Sequence, residues 1–195
     1  MIRVVVLVLA IVMPAAVAGA GEWFLLPEPK FMGHAVSFPI EGAKSTVLAP
    51  ARMGEFGVEF STVADWVGAG LKEDAVRNMS RTIATEWLKH VKPRLVRNRK
   101  KVVEYAVLQS DKLPVSVTVF APEFWKQFED VFGPKMAVVI PNRQTVFVFP
   151  GVAVDYSEFA PLIIEAWRSS APKASLEVFE LSENGLKAVG RFEEP

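Results

Sequence analysis

The clearest periodic signal in the chain is an apolar repeat within residues 71–91. Apolar side chains recur there every three or four positions, which places them on one face of a helix. Pro93 follows and ends the pattern, because a proline cannot continue a helix. We therefore predict an amphipathic helix, whose buried face holds Val76, Met79, Ile83, Trp87 and Val91.

The pattern then changes to period two. Residues 103–107 and 115–119 each alternate apolar and polar positions, with a polar turn between them, which predicts two strands. Pro122 then opens an apolar stripe that closes at Gly133, and a proline at the start with a glycine at the end is typical of a helix.

Two continuous apolar runs follow, at residues 136–140 and 146–149. Unbroken runs predict central strands that are covered on both faces. The next predicted helix ends near Ser169 and begins at Ser157 or Pro161. Beyond it, two apolar segments flank Asn184-Gly185, the strongest short signal for a β-hairpin.

The C-terminal half thus repeats a strand-strand-helix unit and closes with two strands. This order predicts an α+β fold, a mostly antiparallel sheet with helices packed on it. Residues 21–55, which are rich in proline and glycine, are interpreted as an extended N-terminal arm. Residues 56–60 predict a short strand, and residues 56–195 are expected to form a single α+β domain.

Residues 1–20 have the order of a secretory signal peptide. A basic start at Arg3 precedes a short apolar core, Pro14 and a run of small residues. The core is shorter than the roughly 20 residues of a spanning helix. We predict cleavage near Ala20/Gly21, with cleavage before Gly19 as the alternative, and a periplasmic or secreted mature protein.

Part of the chain resembles a known bacterial family. Ala121-Pro122-Glu123-Phe124-Trp125-Lys126, then Met136-Ala137-Val138-Val139-Ile140-Pro141-Asn142-Arg143, then the apolar run 146–149 are similar to the C-terminal half of the YtpQ-like family. The resemblance spans about residues 115–192. It implies a helix, two strands around a Pro-Asn-Arg turn, a second helix and a final hairpin, but no chemistry, because the family has no established activity. Gln144 stands where members usually carry Asp, and members are typically cytoplasmic.

Composition narrows the class of protein. The chain has 22 basic and 22 acidic residues and no cysteine. Near-neutral charge argues against a nucleic-acid binder. Without cysteine, neither a disulfide nor a lipoprotein anchor can form. His34 and His90 are the only histidines and lack the spacing of a metal site, so we expect no metal and no cofactor.

The first candidate site is the turn that holds Asn142 and Arg143. A guanidinium suits a carboxylate or a phosphate, and the adjacent amide could share that ligand. The alternative, which turn chemistry favours, is that Asn142 shapes the turn while Arg143 pairs with an acidic neighbour.

The second candidate is an anion-binding segment with no acidic residue inside it. Such a segment would bind lipid headgroups, polyanions or an acidic partner. The alternative is a solvated connection whose first cations complement the helix dipole. The basic side chains are Lys89, Lys92, Arg94, Arg97, Arg99, Lys100 and Lys101.

These observations favour an exported, non-enzymatic binding or interaction module of the cell envelope. Its partner would be an envelope protein or a small ligand, and neither nucleic acid nor a membrane span is expected after cleavage. One alternative is an envelope hydrolase whose carboxylates or Ser come together by folding. An open pocket with two carboxylates, or a Ser beside His34 or His90, would favour it. The other is a peripheral binder of anionic surfaces through the basic segment.

Overall fold

Two antiparallel sheets with helices packed against them make up the fold. The structure, a computed structural model, describes residues 22–151, 156–169 and 171–194, so the predicted signal peptide lies outside the described residues. The strands of the first sheet are β1 (Phe24–Pro29), β2 (Phe38–Pro39), β3 (Thr46–Gly54) and β4 (Gly57–Phe60). The second sheet consists of β5 (Arg94–Arg97), β6 (Val103–Gln109), β7 (Met136–Asn142), β8 (Thr145–Pro150), β9 (Glu177–Ser182) and β10 (Gly185–Arg191).

The order of the second sheet is β10-β9-β7-β8-β6-β5, with every pair antiparallel. The helices are α1 (Val63–Gly68), α2 (Glu73–Leu88), α3 (Pro122–Phe132) and α4 (Ala160–Arg168). The predicted α+β class is therefore confirmed. The predicted hairpin is confirmed too, although β9 and β10 flank Glu183-Asn184, one residue before the predicted turn, and Gly185 is the first residue of β10.

The main helices form where the pattern places them. Helix α2 carries acidic side chains in its first turn, which suit the positive end of the helix dipole, and it buries Val76 and Ile83. Helix α3 begins at Pro122, ends before Gly133 and buries three phenylalanines. None of the helices in the described part of the chain is long and apolar enough to cross a membrane.

The second sheet is covered on both faces, as its continuous apolar runs predict. One face packs on β1, α2 and α3, where Leu26, Phe124 and Val138 are fully buried. The other face packs on α4, where Phe149 and Ile163 are fully buried. Strands β7 and β8 are central in this sheet, which confirms that interpretation.

The N-terminal region contributes far more to the core than an extended arm would. Strand β1 is buried along its whole length, and β3 pairs with β1, β2 and β4. Pro27 and Pro29 are compatible with this sheet because β1 is an edge strand, and an edge strand can lack N–H donors on its open side. The short strand predicted at 56–60 is β4.

One predicted strand is wrong. Val115–Phe120 is a 3₁₀ helix, and β5, which we did not predict, takes the place beside β6. The hydroxyl of Thr118 donates to the carbonyl of Val115, and the N–H of Val117 donates to Pro114, so local bonds replace a ladder. All of the residues from Val115 to Val119 are buried. The alternation of apolar and polar residues there therefore does not reflect a strand with one buried and one solvent-exposed face.

Candidate functional site

The Asn142-Arg143 turn is held by bonds within the protein. It joins β7 to β8, and the guanidinium of Arg143 meets the carboxylate of Glu28 on β1. Nε lies 2.6 Å from one oxygen and Nη2 lies 2.9 Å from the other, a bidentate pair. The side chains of Glu28 and Arg143 are only 1% and 14% exposed. The structure thus realises the pairing with an acid that the sequence offered as the alternative.

Two aromatic groups complete this cluster. Nε2 of His34 lies 3.3 Å from Glu28, and the His34 ring packs on Phe60 at 4.0 Å between centroids. The Arg143 guanidinium lies over the same phenylalanine ring, 4.9 Å from its centroid. Cation–π contact and ion pairing therefore hold the guanidinium from two sides, and its polar face is directed at Glu28 rather than at solvent.

Asn142 is likewise engaged. Its side-chain amide donates to the carbonyl of Ala166 at 2.8 Å and to the hydroxyl of Ser169 at 3.3 Å. Its side-chain oxygen accepts the N–H of Gln144, which closes the turn. Asn142 thus fastens the end of α4 to the β7–β8 turn, and this arrangement favours a structural role over ligand binding.

A second buried carboxylate belongs to Glu177 on β9. One of its oxygens accepts the backbone N–H groups of Lys44 and Ser45, at 2.7 and 3.2 Å. Its other oxygen is buried without a hydrogen-bond partner in the part of the chain that the structure describes. Both buried carboxylates therefore serve contacts between the first sheet and the second.

The basic segment lies along one edge of the molecule. Strand β5 is the last strand of the second sheet, and the remaining cations flank it in the turns before and after. Among the described residues, only Lys89 of this set forms an ion pair, 2.6 Å from Glu86. We call this surface the basic edge. Its seven exposed side chains are Lys89, Lys92, Arg94, Arg97, Arg99, Lys100 and Lys101.

The ion pair between Lys89 and Glu86 favours the charged form of both side chains. The hydrogen bond that Lys89 donates to Glu86 raises the pKa of Lys89, and the same bond lowers the pKa of the Glu86 carboxyl. Two apolar side chains stand among the cations: Leu95 is 37% exposed and Val102 is 57% exposed. The structure thus brings together, at one sheet edge, the residues that the sequence grouped by position alone.

An open groove lies near the other edge of the sheet, and sequence analysis did not find it. Its volume is about 560 Å³, within the roughly 300–1,000 Å³ of small-ligand sites. One wall, formed by α2 and α3, carries cations, and the other, formed by the end of β2 and the β9–β10 turn, carries carboxylates. The charged lining residues are Arg77, Arg81, Lys126, Glu41 and Glu183.

The apolar floor of the groove lies between these walls. Phe120, Leu186 and the indole of Trp125 line it, and the indole N–H donates to the carbonyl of Pro134 at 2.9 Å. The groove is lined by several segments that are distant in sequence, so no local sequence motif predicts it. Among the described residues, no group of three or more His, Cys, Asp or Glu side chains is placed to hold a metal ion.

Comparison of the chain with protein-family models, with curated proteins and with solved structures finds no match. The resemblance of residues 115–192 to the YtpQ-like family stays a prediction, and so does export. The two surfaces that bear on function are the basic edge and the groove.

Proposed function

We propose that the protein is an exported, non-enzymatic binding module of the bacterial cell envelope that contacts an anionic lipid surface through the basic edge. The observation that carries this proposal is the clustering of seven exposed cations on one edge strand and its turns, with no acidic residue among them. A concentrated positive surface attracts anionic headgroups even when the whole protein is neutral.

Two exposed apolar side chains favour lipid over a polyanion as the partner. Leu95 and Val102 are exposed at this sheet edge and lie between cations in the sequence, so an apolar membrane layer can receive them while the charges stay at its surface. A soluble polyanion offers no apolar layer to receive them. Charged edge strands also prevent pairing with other chains, and that function alone would need no affinity for lipid.

Vesicle sedimentation tests the proposal. Binding is compared for vesicles of phosphatidylcholine alone and with 30% phosphatidylglycerol, at low and high salt. We expect binding only to the anionic vesicles, with steep weakening by salt. The triple substitution Arg94→Gln/Arg99→Gln/Lys100→Gln should weaken binding on the order of 100-fold, since each cation contributes about 1 kcal/mol near such a surface.

The control removes the same charge elsewhere: Lys30→Gln/Lys72→Gln/Lys112→Gln, three exposed lysines away from the basic edge. This variant should bind like the unchanged protein. Equal loss in both variants, or binding that ignores salt, would contradict the proposal. Retention on heparin without binding to vesicles would instead assign the edge to a polyanion.

One observation favours the hydrolase as a second candidate: the open groove holds two carboxylates, Glu41 and Glu183. Glu41, however, forms an ion pair with Lys187 at 2.8 Å, and this contact raises the pKa of Lys187. A carboxylate held in that way is poorly available for proton transfer. Binding is therefore the function that the groove supports better.

A further inference from the structure

We propose that the groove is a second binding site, distinct from the basic edge, and that its ligand is a short zwitterionic peptide. The carboxylate of the peptide would meet Arg81 and its ammonium group would meet Glu183, with an apolar side chain on the floor between them. Unpaired opposite charges on two walls and an apolar floor between them favour such a ligand.

Arg81 is the unpaired guanidinium of the helical wall. Lys126 on the same wall also has no ion pair in the described residues, but its ammonium group lacks the planar pair of donors that suits a carboxylate. Arg77, one helical turn before Arg81, donates to Glu73 from Nε at 2.8 Å and from Nη2 at 2.6 Å. Arg81 is exposed and has no ion pair within the described residues. An unoccupied guanidinium can receive a carboxylate through two parallel hydrogen bonds.

Glu183 is the available anion of the opposite wall. It is exposed in the β9–β10 turn, and no ion pair engages it in the described ranges. Glu41 on the same wall is already bound to Lys187. Arg81 and Glu183 therefore line one groove with opposite charges, yet no hydrogen bond or ion pair in the described structure joins them. A ligand that carries both charges would satisfy both groups at once.

The floor explains why a peptide fits better than a simple amino acid. Phe120 and Leu186 present apolar surface between the charged walls, and the Trp125 ring is fixed by its bond to Pro134. Aromatic surface with a fixed orientation suits an apolar side chain of the ligand. The groove also has room for more than a single residue at about 560 Å³.

Saturation-transfer NMR of the purified protein with tripeptide libraries tests this inference. One library has free ends and an apolar central residue, a second is acetylated and a third is amidated. We expect transfer to the free-ended library, with affinity lowered about tenfold or more when either end is blocked, because each end loses a charge-assisted hydrogen bond.

Two substitutions locate the binding. Arg81→Gln should abolish discrimination against the amidated library, and Glu183→Gln should abolish discrimination against the acetylated one. Arg99→Gln and Glu55→Gln change the same residue types at exposed turns elsewhere and should leave binding unchanged. Because all four side chains are exposed, circular dichroism should report an unchanged fold for each variant.

Several results would overturn the inference. These are no transfer to free-ended peptides, equal binding of blocked peptides, and binding that survives both groove substitutions. Cleavage of the peptides, seen by mass spectrometry, would assign the groove to hydrolysis. None of these results bears on the basic edge, because vesicle binding is measured separately.

Discussion

The ion pair between Glu28 and Arg143 is a buried polar contact that is costly to disturb. A buried ion pair stabilises a fold little more than apolar residues in its place would. Removal of one partner, however, leaves the other charge buried away from water and without a counter-charge. Glu28 is 1% exposed, so its carboxylate depends on the guanidinium and on His34 for solvation.

We therefore expect Arg143→Met to lower the free energy of unfolding by about 3–5 kcal/mol, because the Glu28 carboxylate is left buried without its cation. Urea denaturation followed by tryptophan fluorescence measures this loss. Glu28→Leu/Arg143→Met removes both charges and should recover most of it. A loss below about 1 kcal/mol in the single variant would show that Glu28 is not held by Arg143 in solution.

For single residues, the sequence does not specify which acid pairs with Arg143. It offered pairing of Arg143 with an acid as one of two interpretations, and the turn chemistry of Asn142 agrees with the structure. The identity of the acid was out of reach, because Glu28 lies 115 positions away and no local pattern relates β1 to the β7–β8 turn.

Among the elements, the contact between Gly42 and β10 links the two sheets. The N–H of Ala188 donates to the carbonyl of Glu41 at 2.8 Å, just before Gly42. Gly42 has a φ of +74°, and a Cβ built on it would stand 2.6 Å from the carbonyl oxygen of Ala188. Both the backbone conformation and the close approach require glycine here.

Gly42→Ala should therefore destabilise the fold more than Gly33→Ala. Gly33 also has positive φ, at +63°, but no atom lies within 4 Å of its Cβ position. We expect a loss of about 1–2 kcal/mol for Gly33→Ala from backbone strain alone, and about 1–3 kcal/mol more for Gly42→Ala from the clash. Thermal or urea unfolding of the pair measures the difference, and equal losses would contradict the close contact.

The helices and strands also show where prediction from hydrophobic periodicity fails. The repeat that predicts α2 is confirmed as a helix with one buried face, which holds Val76 and Ile83. Met79 and Trp87 are only partly buried, and Val91 is buried but lies beyond the helix end at Leu88. The alternation at 115–119 misleads because every side chain there is buried and hydroxyl groups bond to nearby carbonyls. Strand β5 was missed because its arginines read as a charged connection.

For the whole molecule, the β5 part of the basic edge and the β9–β10 part of the groove lie at opposite ends of the six-stranded sheet, whereas Arg81 and Lys89 approach each other along α2. Effects of substitutions at distant, independent sites usually add within about 0.5 kcal/mol. We expect Arg94→Gln/Arg99→Gln/Lys100→Gln combined with Arg81→Gln to show the sum of the two stability changes. Denaturant unfolding of the separate and combined variants measures this, and a larger deviation would reveal coupling across the sheet.

The fold class follows from sequence because antiparallel pairing and helix packing depend on local periodicity. The groove cannot be predicted in this way, because its walls come together only after distant segments pack. The first sheet was not predicted for a similar reason. Pro27 and Pro29 interrupt the strand pattern of β1, and β1 forms a strand because it pairs with β3.

Strand β10 closes the sheet at the end away from β5. Its pairing with β9 contains an irregularity between Ala188 and Gly190, and a bridge from Glu41 occupies part of its outer side at Lys187. Because β10 is irregular and partly covered on its outer side, it does not present a straight row of free backbone amides to a strand from another molecule. At this margin, crowded copies of the protein would therefore find a poor template for adding a strand to β10.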